Sequence, residues 1–290
     1  VNWPNDTRSA AYAPLILGAI TEGNFEHRFV PIVIEANGHR GVFGVSEDAL
    51  KIEGVRVNAS AFLQQHVADM FGAFLLTPKL LDQLWAQRAV TVLPCPQPFN
   101  SLSATMIAHS ACVDRQLANV TVPEGGIIQT VCKTWVIANG LLVHPGRACN
   151  DGWHLEKPIP GVPFDPAPSL PGAHMIQSPG YHHDAQHVDY SQCMLFVARD
   201  CAVDGEITTF DAVAQNPELA ALVNHDGILK VLRQPGSEFV TPPNVPPSGG
   251  KTVAMVTAGG AIGAIVGGPP GALVGATVGW GIDAVRRKMT

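Results

Sequence analysis

Histidines crowd one stretch of this chain: His144, His154, His174, His182, His183 and His187. Carboxylates lie among them at Asp151, Asp184 and Asp189, and Ser191 and Cys193 follow. Lys133 and Trp135 stand upstream, and Trp153 precedes His154. A histidine beside a carboxylate is the minimum unit for general acid–base work and for metal ligation. In one chemistry, a serine, cysteine or water nucleophile is activated by His183 or His154, with Asp189 orienting the imidazole. In another, His154, His183 and Asp189 hold a divalent metal with His187 in reserve. The spacing His183-x3-His187-x-Asp189 matches no stringent zinc motif. In a third, the histidines only cap loops and satisfy backbone groups, because structural networks imitate sites. The candidate catalytic set is His154, His183, Asp189, Ser191 and Lys133, with no metal and no cofactor expected. Ser191 and Lys133 also have ordinary structural uses, in packing and in snorkelling beside a strand. Cys132, Cys149 and Cys193 have no flanking signature of a nucleophile and read as buried thiols.

The elements that must position these residues alternate strands and helices. Residues 29–56 carry clustered β-branched and apolar residues, with Asn37-Gly38 as a hairpin turn, and read as a β-meander. Asn58 or Ser60 caps a helix to about Phe71. Thr77-Pro78 opens another, with Leu80, Leu81, Leu84 and Trp85 as its apolar stripe. A short strand follows over 89–93, then a helix over 101–118. Residues 126–143 read as a strand pair around Asn139-Gly140. Residues 144–180 read as a long loop, and loops of that length are usually functional or poorly ordered. A buried strand is expected over 191–198, which puts Asp189 and Ser191 on one face. Two short helices are expected at 208–214 and 216–224. The fold expectation is α+β: a mixed sheet with several helices over 1–233, then a linker over 234–250 with five prolines, then a helical hairpin over 251–290.

Composition narrows the function classes. Net charge is -6, with no long basic run outside the last residues, so nucleic acid is an unlikely partner. The 29 glycines and 24 prolines imply many turns. The six cysteines form no CxxC pair, which disfavours a zinc ribbon and leaves disulfides and free thiols both open. The first 20 residues lack a charged region followed by an apolar run and do not read as a secretory signal. Without such a signal, the expected alternatives are carriage inside a particle or no export at all.

The segment Phe74-Leu-Leu-Thr-Pro-Lys-Leu-Leu-Asp-Gln-Leu-Trp85, the strand with Lys133, Gly152-Trp153-His154, and His183 through Val188-Asp189-Tyr190-Ser191 carry a resemblance. Together they resemble a group of secreted bacterial and phage-associated proteins that share a "PTP" helix start, a "GWH" segment and a "VDYSHG" strand. The resemblance covers about residues 25–230. It implies that His154, His183, Asp189, Tyr190 and Ser191 belong to one site, but it implies no particular reaction. Gln192-Cys193 stands where the pattern has His-Gly, so a catalytic role for that histidine would leave this chain inactive.

Residues 252–282 contain no charge across 31 positions. Gly259, Gly263 and Gly267 are spaced by four, Pro269-Pro270 intervene, and Gly271, Gly275 and Gly279 repeat the spacing. That spacing lines one helix face with glycine and lets two backbones approach closely. Proline interrupts a helix, so two antiparallel helices are expected, with Arg286, Arg287 and Lys288 beyond them. Each half, at about 1.5 Å per residue, is shorter than a bilayer core of about 30 Å. A membrane-inserting hairpin, an arm docked on a neighbouring subunit and a flexible tail all compete. This segment also resembles glycine-zipper segments of envelope and membrane-active proteins.

Together these features lead to an envelope-directed protein, carried in a phage particle or in the bacterial envelope. Its body is expected to be hydrolase-like and to act on peptidoglycan. Its tail is expected to engage membrane or neighbouring subunits in an oligomer or assembly. The alternatives are a non-catalytic structural virion or envelope protein, in which the histidine cluster only stabilises, and a toxin-like effector with an inserting tail.

Overall fold

The computed structural model describes residues 1–167 and 170–238. The expected hairpin, with Gly259 through Gly279, and most of the proline-rich linker lie outside the described residues. Among the described residues, two larger antiparallel sheets, a short antiparallel pair of Lys51–Ile52 with Val55–Arg56 and five α-helices make up the body, an α+β arrangement. The first sheet contains β1 (Phe29–Ala36), β2 (His39–Ser46), β3 (Ala73–Leu75), β8 (Phe196–Val203) and β9 (Glu206–Thr209). Its order is β1-β2-β8-β9, with β3 also paired to β8. The second contains β4 (Lys133–Val136), β5 (Cys149–Leu155), β6 (Asp165–Pro166) and β7 (His174–Gly180), in the order β6-β7-β5-β4. Parallel pairing enters at a short ladder, Val90–Thr91 with Ile128–Gln129, and at the bridge Lys133–Gln192.

Local chemistry explains several of these elements. In β1 the alternation of side chains buries Val30, Ile32 and Ile34 while their neighbours face out. Asn37 and Gly38 take the positive φ values, 52° and 84°, that a tight hairpin turn requires. Helix α2 (Ala61–Met70) starts at Ser60, whose hydroxyl accepts from the Leu63 N–H at 3.3 Å. Helix α3 (Pro78–Ala86) starts at Thr77, whose hydroxyl accepts from Leu80 N–H at 3.1 Å, with proline in its first turn. Leu80, Leu81 and Leu84 of α3 are wholly buried, and each such burial is worth about 1.5–3 kcal/mol. They join one core with Ile16 and Ile20 of α1 (Tyr12–Thr21), Val67 of α2, and Met106 and Val113 of α4 (Ser103–Leu117). Helix α5 (Phe210–Gln215) and a 3-10 turn at Ala220–Leu222 follow the first sheet.

Four expectations are corrected. Asn139–Val143 forms a 3-10 helix rather than a turn between two strands, and its Gly140 lies against the Tyr181 ring. Residues 144–180 are not one loop, because β5 and β7 run through them and pair with each other. The strand expected at 191–198 begins only at Phe196, since residues 189–192 are committed to a turn closed by Gln192 N–H to Asp189 O at 3.4 Å. Gln234, the first residue of the expected linker, is buried. It bonds Gln65 Oε1 through its N–H at 2.9 Å and Arg147 O through its amide at 2.9 Å.

Candidate functional site

Strand β4 delivers Lys133, and the loop 181–192 delivers the remaining polar groups. Lys133 N–H donates to Ser191 O at 2.9 Å, and Cys193 N–H donates to Lys133 O at 3.0 Å, so loop and strand are stitched together at the site. The other end of the loop is laced to residues 146–148: Ala148 N–H reaches His183 O at 3.1 Å, and Ala185 N–H reaches Gly146 O at 3.1 Å. Between these anchors the chain turns at Asp184, whose carboxylate accepts from Gln186 N–H at 2.9 Å and whose carbonyl accepts from His187 N–H at 3.1 Å. This turn stacks His183 on His187, with ring centroids 4.0 Å apart and an interplanar angle of 15°. Both rings meet Trp135 edge-on, at 6.1 and 6.4 Å. Trp135 is fully buried and fixed by donating to Ala59 O at 2.8 Å, so the histidine pair rests on a rigid wall.

Asp189 is the electrostatic centre. Its Oδ1 accepts from Ser191 N–H at 2.8 Å and from Ser191 Oγ at 2.6 Å. Its Oδ2 lies 3.7 Å from Lys133 Nζ and 3.9 Å from His187 Nε2. Burial alone would raise this carboxyl, but His187, the Lys133 charge and the two Ser191 donors outweigh burial and hold it far below the ordinary carboxylate range. Lys133 moves down, first because burial disfavours its cation, with Asp189 opposing. His183 also moves down, through burial, then His187 and Lys133, with Asp189 pulling the other way. At neutral pH the site therefore holds a firm carboxylate beside a softened ammonium and a neutral imidazole.

These groups line a cavity of about 1120 Å3, into which Lys133, His183, His187, Asp189 and Tyr190 all face. A second cavity of about 560 Å3 shares Arg8, His187 and Val188 with the first. The disulfide Cys95–Cys112 ties the 93–102 wall of the larger cavity to α4. The other four cysteines are free and buried.

The glycine of the Gly152-Trp153-His154 segment has a physical reason. Gly152 sits at φ 139°, and a Cβ there would press on the Cys132 carbonyl and the Lys133 Cα, each at 2.9 Å. Trp153, at φ 56°, places its ring centroid 5.2 Å from Lys133 Nζ. His154 is turned elsewhere. Its Nε2 pairs with Asp82 Oδ1 at 2.8 Å, and its ring stacks on Trp85 at 5.8 Å. His225 shares the same carboxylate, 3.0 Å from Oδ2.

The structure thus joins Lys133, His183, Asp189 and Ser191 but not His154. The expected convergence of His154 with His183 is corrected, since neighbouring strand residues face opposite sides and Trp153 takes the cavity side. Ser191 is corrected as a nucleophile: it is fully buried and its hydroxyl is spent on Asp189. Asp189 and Ser191 do meet, but through a tight turn and not through strand alternation. The ligand set His154, His183 and Asp189 is likewise split. No cluster of three or more metal-binding side chains is found among the described residues.

Three positioning amides carry no chemical signature in the sequence. Asn58, expected as a possible helix cap, is buried instead and donates to Asp189 O at 2.7 Å. Gln64 donates to Gln192 O at 2.9 Å and to Cys193 O at 3.0 Å. Gln192, at the position where the resemblance pattern has histidine, bonds Asp189 directly.

Comparison with protein-family models, curated proteins and solved structures finds no match to this chain. No helix among the described residues is long and apolar enough to cross a membrane.

Proposed function

We propose that the body is a hydrolase acting on bacterial envelope material, with peptidoglycan as the first polymer to test. The observation that carries this reading is the convergence of Lys133, His183, His187 and Asp189 on one wall of a large cavity. Neutral His183 takes a proton from water as the water oxygen attacks an acyl carbon. Lys133 stabilises the negative charge that develops on the acyl oxygen. The bond to the leaving group then breaks, and the imidazolium returns the proton to it. His187, beside Asp189, positions the His183 ring by stacking. Within this reading the residues 252–282 engage membrane or a neighbouring subunit, in a virion or in the envelope.

The test is turnover of cell-wall fragments by the parent protein and by His183→Ala. Loss of turnover with the melting temperature kept supports the reading. A well-folded parent with no turnover on any envelope preparation, polymeric or acylated, defeats it. The second reading is a non-catalytic structural protein, and the complete bonding of Ser191 and Asp189 favours it, because such a network also serves to lock a loop.

A further inference from the structure

Beside the reacting groups, apolar side chains make up much of the lining of the larger cavity. They include Leu93, Phe99, Leu102, Ile159, Val162 and Ile176. Three of these reach solvent as well: Leu93 is 61 % exposed, Phe99 85 % and Leu102 47 %. Large apolar side chains left in water around a cavity entrance mark a surface that a ligand covers. A saccharide or an extended peptide needs hydrogen-bond partners along its length, because each polar group buried without one is costly. Beyond the reacting groups, Asp6 and Arg8 pair with each other, and Asn100 Oδ1 accepts from Leu102 N–H at 3.0 Å. The Gln177 amide is already turned to Ser178 O at 2.9 Å, and the Ser101 carbonyl accepts from Thr7 N–H at 2.8 Å. The volume, about 1120 Å3, exceeds what a single ring or short side chain fills. The charges that line the cavity are paired, Lys133 against Asp189 and Arg8 against Asp6, so a strongly charged head is not required.

We infer that the cavity takes a linear acyl chain, with the chain's carbonyl end at Lys133 and His183. This inference rests on the hydrolase reading and narrows it, from envelope polymer in general to an acylated or lipid-linked component cleaved at its ester or amide. Hydrolysis adds water across that bond and releases the free acid and the alcohol or amine.

Two measurements separate the chain from the chemistry. The first is kcat/KM on p-nitrophenyl esters from acetyl to dodecanoyl, each below its aggregation limit. The second needs no turnover: displacement of an environment-sensitive fluorescent fatty acid by unlabelled acids of increasing length. Burial of one methylene corresponds to at most about a fourfold gain, so kcat/KM and displacement should both climb about two- to fourfold per methylene until the cavity is full. In Val162→Glu, checked for an unchanged melting temperature, the dodecanoyl-to-acetyl ratio should fall at least about tenfold, the cost of setting a charge in the chain's path. Chain-dependent displacement without hydrolysis supports the acyl cleft and removes the hydrolase reading. Hydrolysis with no gain per methylene overturns the acyl cleft and leaves the hydrolase reading standing. A ratio in Val162→Glu equal to the parent's also overturns it.

Discussion

Gln192 grips Asp189 at two points: its Oε1 accepts from the Asp189 N–H at 2.6 Å, and its Nε2 donates to Asp189 Oδ2 at 3.3 Å. The carboxylate that anchors the candidate site is therefore aimed by the residue that departs from the resemblance pattern. Gln192 is itself fully buried and held through its carbonyl by Gln64.

Gln192→Ala leaves the Asp189 N–H buried without a partner, at a cost of about 1–3 kcal/mol. It also lets the carboxylate swing away from Lys133. The expected outcome is a kcat reduced about tenfold or more, because small misplacements at a reacting centre are expensive. Gln192→Glu, which keeps one acceptor but adds charge beside Asp189, should do no better. Steady-state kinetics with melting curves on both variants checks this, and unchanged kcat in both would remove Gln192 from the site.

His154 and His183 should respond in opposite ways. His154 is buried against Asp82 and Trp85, so His154→Ala takes one hydrogen bond from the Asp82 carboxylate, which keeps His225, and leaves a cavity. A loss of about 2–3 kcal/mol follows from the lost bond and the cavity, or roughly 4–12 °C in Tm. His183→Ala lies on a cavity wall and should leave Tm nearly unchanged while turnover falls about 100-fold or more. Thermal melting and kinetics on the two proteins decide it. Equal stability loss in both would mark His183 as structural.

The parts of the fold that were legible in the sequence are those with local causes. Ser60, Thr77-Pro78 and Asn37-Gly38 act within a few residues of themselves, through caps and a turn. Helix α1 left no such trace, because its N-cap, Ala11, makes no side-chain bond. Strand β5 was hidden for another reason. Every residue of Cys149–Leu155 is buried, polar ones included, so no alternation of apolar and polar positions marks it. The site was half legible: Lys133, His183 and Asp189 are chemically conspicuous, and the structure assembles them. His154 is equally conspicuous and sits elsewhere, because which side of a strand a residue faces depends on the pairing partners of that strand. Asn58 and Gln64 act through long-range bonds and Gln192 through a tight turn onto Asp189, and an amide gives no hint of such a partner.

The Cys95–Cys112 disulfide closes a separation of 17 residues and holds the segment that carries Pro94 and Pro96 along the cavity. A loop of that size is stabilised by about 3 kcal/mol in the chain-entropy account. The double variant Cys95→Ser with Cys112→Ser should therefore melt about 6–12 °C lower. Below that temperature its KM should rise more than its kcat falls, since the wall loosens while Lys133, His183 and Asp189 stay fixed by other bonds. A kcat loss larger than the KM change would show that the disulfide supports the reacting groups themselves.

The pH profile tests the charge states. His183 accepts a proton only when neutral, and its pKa lies below 6.5: burial comes first, then His187 and Lys133, with Asp189 offsetting them in part. The acidic limb of kcat/KM should therefore rise through a midpoint below 6.5. Lys133 must stay protonated to stabilise developing negative charge. Burial brings its pKa below 10.5 despite Asp189, so the alkaline limb should fall at a midpoint below 10.5. Lys133→Met should lower kcat/KM about 100-fold or more and remove the alkaline limb, while the acidic limb remains. The acidic midpoint should also drop further in Asp189→Asn, since the one group raising the His183 pKa is gone. Profiles of the parent and both variants, measured with the protein folded across the range, check each step. An acidic midpoint above 6.5 in the parent, or an alkaline limb that survives in Lys133→Met, would take the base role from His183 or the electrostatic role from Lys133.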